Sequence, residues 1–182
     1  MQKILYVIIL SAALITARYA YCEDPSTFEI TDGFYPSGWM GDYGDVKVDL
    51  QCTLKPQEGS YCQKWTYNAR RSQGSGWASV SWQYPENNWG DKKGRDLSRF
   101  GKLTFWARGE EGREVINVRI GGKGNSLNVG RGPISLTSEW EKYTIDLSPE
   151  DLSNVTSGFC WTASKAHNFS GCTFYLDAIL YE

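Results

Sequence analysis

The stretch 76–90, GWASVSWQYPENNWG, constrains the fold more than any other part of the chain. From Ala78 to Tyr84 small and large residues alternate with period two, the pattern of a strand with two unlike faces. Pro85 has no N–H to give and ends the ladder. Asn87, Asn88 and Gly90 then predict a turn-rich loop that holds Trp89. The three tryptophans and one tyrosine of this span have two readings. They are core side chains of a sandwich, since aromatics carry large buried area, or a flat apolar platform for a ring-shaped ligand, with Gln83 and Asn88 beside it as hydrogen-bonding groups. Trp89, in its polar loop, is the one expected to stay exposed.

The same alternation recurs. In 102–108 it sets Leu103, Phe105 and Ala107 against Thr104, Trp106 and Arg108, and in 114–120 it sets Ile116, Val118 and Ile120 against Val115, Asn117 and Arg119. Further extended segments are read at 28–30, 46–51, 63–68, 143–147, 159–163 and 173–181. The segment 35–44, YPSGWMGDYG, reads as a structured loop carrying Trp39, Met40 and Tyr43, and 121–132 as a long glycine loop. Ser148, followed by Pro149, predicts one capped helical turn over 148–152. No long segment has a 3.6-residue period. Many short strands separated by turn signals, in a chain rich in aromatics and glycine, predict an all-β jelly-roll β-sandwich.

Residues 1–22 read as a signal peptide: Lys3 gives the positive start, an apolar run follows, and small residues lead to cleavage after Cys22. The apolar run is short for a membrane span. The expectation is a single domain over 23–182, exported to the periplasm, cell surface or medium, with no stable membrane insertion. A net charge of −2 carries no basic signature of nucleic-acid binding. The remaining cysteines, Cys52, Cys62, Cys160 and Cys172, allow three disulfide pairings. Cys52–Cys62 and Cys160–Cys172 are favoured, because each pair flanks a loop between extended segments. Without a CxxC pair, a zinc site is disfavoured.

If Leu103/Phe105/Ala107 and Ile116/Val118/Ile120 face the core, then Trp106, Arg108, Asn117 and Arg119 face outward. A tryptophan among Arg, Asn and Gln suits a sugar: the ring stacks on the C–H face of a pyranose, and planar polar groups bond its hydroxyls. A Trp–Arg stack that merely covers the sheet is the equal alternative. Gln83 joins this face, with Trp39, Trp89 and Trp161 as rim candidates. Catalytic signals are poor. His167 is the only histidine, no Gly-x-Ser-x-Gly accompanies it, and the acids lie mostly in charged loops such as 110–111 and 150–151. Asp177 differs, as a carboxylate inside the apolar run FYLDAILYE. It needs either hydrogen-bonding partners or a hard cation such as calcium shared with Asp32 or Glu29.

In order along the chain, YPSGWMGDYGD, GWASVSWQYPENNWG, LTFWARGEEG, LTSEWEKYTIDLS, SGFCWTAS and TFYLDAILYE resemble carbohydrate-binding-module β-sandwiches of the galactose-binding-domain-like superfamily. The resemblance spans most of 23–182. It implies a jelly roll that binds glycans without catalysis and a structural calcium near Asp177, although Ala178 stands where a second acid is expected. The function expected is a secreted, non-catalytic module for a polysaccharide or glycan. The alternatives are a cell-envelope structural or adhesion protein that uses the same surface for a protein partner and, third, a small hydrolase.

Overall fold

The computed structural model describes residues 26–122 and 127–182. The expected signal segment, with Cys22, lies outside them. Among the described residues eleven strands form: β1 (Phe28–Glu29), β2 (Tyr35–Gly41), β3 (Val46–Cys52), β4 (Cys62–Tyr67), β5 (Trp77–Gln83), β6 (Lys102–Gly109), β7 (Val115–Ile120), β8 (Val129–Ser135), β9 (Glu141–Asp146), β10 (Ser157–Ser164) and β11 (Cys172–Tyr181). They make two antiparallel sheets. The first runs β3-β4-β11-β6-β9, with β1 on β11, and the second runs β2-β5-β10-β7-β8. This is the expected β-sandwich.

The core lies between the sheets and takes one face of each alternating run. Leu103, Phe105 and Ala107 of β6 and Ile116, Val118 and Ile120 of β7 are all buried. Trp65 sits at the centre, its ring centroid 5.3 Å from Trp82 and 5.2 Å from Trp161, both edge-on. Each such contact adds about 0.5–1.5 kcal/mol beyond area burial. Trp161 is 0% exposed and Trp39 packs its ring 6.1 Å from Trp65. Neither is a rim residue: Trp161 shares its face of β10 with buried Phe159 and Ala163, and Trp39 turns inward from β2.

Three local readings are corrected. Residues 35–41 are a strand, β2, despite Pro36; it lies at the edge of its sheet, where a missing N–H is tolerated, and a bulge between Pro36 and Gly38 absorbs the irregularity. The end of the glycine-rich segment, from Val129, belongs to β8. Residues 148–152 form a turn without a helix; Asp146 accepts from Ser148 N–H (3.0 Å) and Oγ (2.6 Å), which closes the chain locally.

The outer face of the first sheet is closed by the β3–β4 loop, which lies across it as a strap. Asp177 Oδ2 accepts from the backbone N–H of Gln57 (2.7 Å) and Glu58 (3.1 Å). Arg108 Nη2 donates to Leu54 O (3.1 Å), Trp140 Nε1 to Lys55 O (2.8 Å) and Trp106 Nε1 to Glu58 Oε1 (3.2 Å). Beneath the strap, Cys52, Cys62 and Tyr175 form a small apolar cluster with Trp140 beside it, and the Arg108 guanidinium lies 3.6 Å from the Tyr175 ring centroid.

Candidate binding groove

The outer face of the second sheet is open. A groove of about 1070 Å³ runs along it, lined by Trp77, Ser79, Ser81 and Gln83 from β5, Cys160 and Thr162 from β10, Asn117 and Arg119 from β7, and Trp89 from the loop after β5. Period-two alternation explains this composition. On β5 the residues Ala78, Val80 and Trp82 enter the core, so the intervening residues must face out.

The groove floor is small and internally bonded. Ser79 Oγ donates to Trp161 O (2.6 Å), receives Thr162 Oγ1 (2.9 Å) and lies 3.1 Å from Cys160 Sγ. Ser81 and Ser157 share a hydrogen bond of 2.5 Å. Gln83 Oε1 accepts from Ser37 Oγ (2.9 Å), which fixes the turn of its amide.

Two exposed tryptophans join this floor in lining the groove, Trp77 at the start of β5 and Trp89 in the loop beyond its end, 39% and 43% exposed. Each is held by a built support. Asp42 is buried, and burial alone would raise its carboxyl. Three backbone N–H groups, from Ser75 (2.9 Å), Gly76 (2.6 Å) and Gln73 (2.9 Å), outweigh that and hold it below the ordinary value. The loop leading into Trp77 is thereby fixed. Gly41, at φ +67°, lets the Trp77 ring lie against β2, since a Cβ there would stand 2.8 Å from its Cε3. Around Trp89, Asn88 is fully engaged within its own loop: its amide donates to Tyr84 O (2.8 Å) and Lys92 O (2.9 Å), and its carbonyl accepts from Gly90 and Lys92 N–H. Asn88 therefore shapes the loop that presents Trp89. Tyr35, half exposed, is the register partner of Gln83 and so shares its face.

Of the residues expected at the site, the fold gathers Gln83, Trp89, Asn117 and Arg119. It separates Trp106 and Arg108 from them. The chain crosses from the first sheet to the second between β6 and β7, so the outward face of β6 points away from the groove, and its side chains fasten the strap. Trp77, Met40, Ser79, Ser81 and Thr162 were not singled out. Among the described residues the groove lining includes no Asp or Glu.

Asp177 already accepts three backbone N–H groups, the third from Ala178 (2.9 Å). Burial, together with the nearby Asp32 and Asp177, pushes Glu29 up to about 7. Yet among the described residues no three acidic, Cys or His side chains come together as ligands for an ion. Of the two expected cysteine pairs, Cys160 and Cys172 are kept apart by the fold. Cys160 points into the groove while Cys172, on the other sheet, packs in the core, so their thiols lie on different sides of a layer about 10 Å thick. Cys52 and Cys62 are register partners whose side chains interact, and Cys62 Sγ also lies near the carbonyls of Cys52 (3.5 Å) and Leu54 (3.9 Å). Burial and the neighbouring Cys52 push the Cys62 thiol up to about 12.

Comparison with known proteins follows this geometry. A family profile described as carbohydrate binding domain 30 matches residues 27–181. Among solved structures, the chain is similar to a family 30 carbohydrate-binding module at 17% identity, covering 87% of this chain and 88% of that one, with a TM-score of 0.63. A family 30 module of a cellulosomal cellulase of Clostridium thermocellum is similar at 16% identity, with 86% and 96% covered and a TM-score of 0.61. A family 11 module from Clostridium thermocellum, solved in complex with a β-1,3-1,4-mixed-linked tetrasaccharide, is similar at 15% identity, with 86% and 94% covered and a TM-score of 0.57. These likenesses carry the fold. No curated protein sequence matches the chain.

Proposed function

Because the chain belongs to the carbohydrate binding domain 30 family, it is a carbohydrate-binding module, and we propose that the groove of the second sheet takes an extended glycan chain without catalysis. One observation carries this reading: two exposed tryptophans, one at the start of β5 and one in the loop after its end, line the same groove beside a row of polar side chains. Strand β5 itself spans roughly 20 Å, at about 3.4 Å per residue, between Trp77 at its start and the loop after its end that carries Trp89. That length suits several linked sugar rings, with a ring face stacked on each indole.

In this reading Trp77 and Trp89 supply the apolar contacts, and Gln83, Asn117 and Arg119 bond the hydroxyls between them. Both platforms are pre-set, Trp77 by the Asp42 loop and Trp89 by Asn88, so little ordering cost opposes binding. The lining supports the non-catalytic part of the reading, because glycoside hydrolysis needs a pair of carboxylates facing the bond. We further propose that the chain is exported through residues 1–22, which brings it to polymers outside the cell.

The first ligand to test is a soluble mixed-linked β-glucan, the linkage type held by the family 11 neighbour. Calorimetric titration of the domain should show saturable binding that is lost in a Trp77→Ala/Trp89→Ala double variant that still melts in one cooperative transition. Loss of binding in Trp106→Ala, with the double variant unaffected, would place the site on the strapped sheet and overturn the proposal.

A further inference from the structure

Strand β3 ends the first sheet and pairs on one side only, with β4. An edge strand of this kind presents unpaired backbone groups and is normally blunted. Here it also exposes apolar side chains: Val48 is 39% and Leu50 45% exposed, with Leu54 and Tyr61 exposed in the adjoining loop. Val46 and Val48 stand opposite Tyr67 and Trp65, both core residues, so they lie on the core side of the sheet; the register is irregular between Asp49 and Cys52, the stretch that holds Leu50. Lys47 and Asp49 take the outer side. Among the described residues neither has an ion-pair partner, and Asp49 Oδ1 accepts only from Gln51 N–H (3.0 Å).

The order Val46-Lys47-Val48-Asp49-Leu50 is self-complementary. A second copy laid antiparallel about Val48 sets Val48 against Val48, Val46 against Leu50, and Lys47 against Asp49, the last two pairings occurring twice. Val48 then meets Val48 on one face and opposite charges meet on the other, the arrangement that stabilises cross-strand pairs, while the irregularity after Asp49 limits the regular pairing to these central residues. We propose that β3 is a homodimer interface in which two copies pair edge to edge as a twofold-symmetric, isologous contact. The twofold axis of such a pair is perpendicular to the sheet, so the two first sheets merge into one. Both second sheets then lie on the same side, and the two grooves open in the same direction. A polymer that reaches both is held by two sites whose second contact is intramolecular, an avidity gain of about 100-fold or more.

A single strand pair is a small interface, so the dimer is expected in the micromolar range. Sedimentation equilibrium of the intact domain across that range tests it. The expected result is a mass rising from one to two copies with concentration. Lys47→Asp places Asp against Asp49, and Asp49→Lys places Lys against Lys47; each should leave a monomer with an unchanged melting temperature. The double variant Lys47→Asp/Asp49→Lys restores opposite charges and should restore the dimer. A wild-type monomer at every concentration overturns the proposal, including the case in which another protein or peptide occupies this edge. So does a dimer indifferent to both single changes, or one that the double variant fails to rescue.

Discussion

Replacing Trp89 by Ala separates a binding role from a packing role in numerical terms. Trp89 is 43% exposed, which for an aromatic side chain of roughly 250 Å² leaves about 110 Å² open. A sugar ring stacked on one face covers about half of that. At about 25 cal/mol per Å², the lost contact is worth about 1.4 kcal/mol, or roughly tenfold in Kd. Full coverage by a longer chain raises the ceiling to about 2.7 kcal/mol, near 100-fold. The covered part of the side chain, roughly 140 Å², lies outside the core cluster, so the melting transition should fall, but by less than for a tryptophan of the core, with about 3.5 kcal/mol as the ceiling. Trp82→Ala is the contrast: Trp82 is 1% exposed and wedged between Trp65 and Phe159, and its loss should cost about 3–5 kcal/mol of stability. Titration calorimetry with mixed-linked β-glucan, paired with thermal melts, reads both quantities. An affinity within twofold of wild type, or a Trp89→Ala melt as depressed as that of Trp82→Ala, would refute the reasoning.

Other perturbations test the supports. Asp42→Asn keeps the shape but removes the charge and turns one acceptor oxygen into a donor, so at least one of the three N–H bonds is lost; glycan affinity should fall as the loop before Trp77 loosens. Because the Asp42 carboxyl is held below its unfolded value, its stabilisation is present above that value and fades as pH falls through the folded pKa. Glu182 follows the same sign. Hydrogen bonds from Lys102 and Thr104 lower it to about 2, so Glu182→Gln should lower the melting temperature at neutral pH and converge with wild type as pH drops from about 4.5 towards 2. Trp106→Ala should leave glycan affinity unchanged and lower the melting temperature, since it frees one end of the strap. Chelator should not shift the melt. A rise on adding calcium would show that Glu29 and Asp32 do gather around an ion.

The strand pattern was legible because period two survives in any sheet, and the core phases of β6 and β7 follow from it directly. Which sheet a strand joins is a different matter. Trp106 and Asn117 both face outward as the alternation requires, yet nothing local to 102–120 says that the chain crosses the sandwich between them. Trp161 was within reach of the sequence: it shares parity with Phe159 and Ala163, and an apolar neighbour on each side of the same face marks core. Trp77 was equally accessible, in phase with Ser79, Ser81 and Gln83. Tyr35 and Met40 were hidden because proline and glycine made their segment look like a loop, a composition that an edge strand tolerates. Asp177 was correctly singled out as needing partners, but its donors lie at Gln57 and Glu58, 120 and 119 residues away in sequence, and such distant backbone N–H groups leave no trace near Asp177.

The hydroxyls of the groove floor satisfy one another. Ser79, Thr162, Ser81 and Ser157 are tied into mutual bonds, so a bound sugar meets a surface already content with its own hydrogen bonding. In the proposed binding mode, discrimination then falls to the two indole faces, which register the flatness and width of a chain, and to the few polar groups left free at Gln83, Asn117 and Arg119. If the groove is the glycan site proposed above, it would sort polymers by silhouette. It should accept related backbones that share a ribbon-like outline and reject those whose branches or helical turns lift the rings away from Trp77 and Trp89.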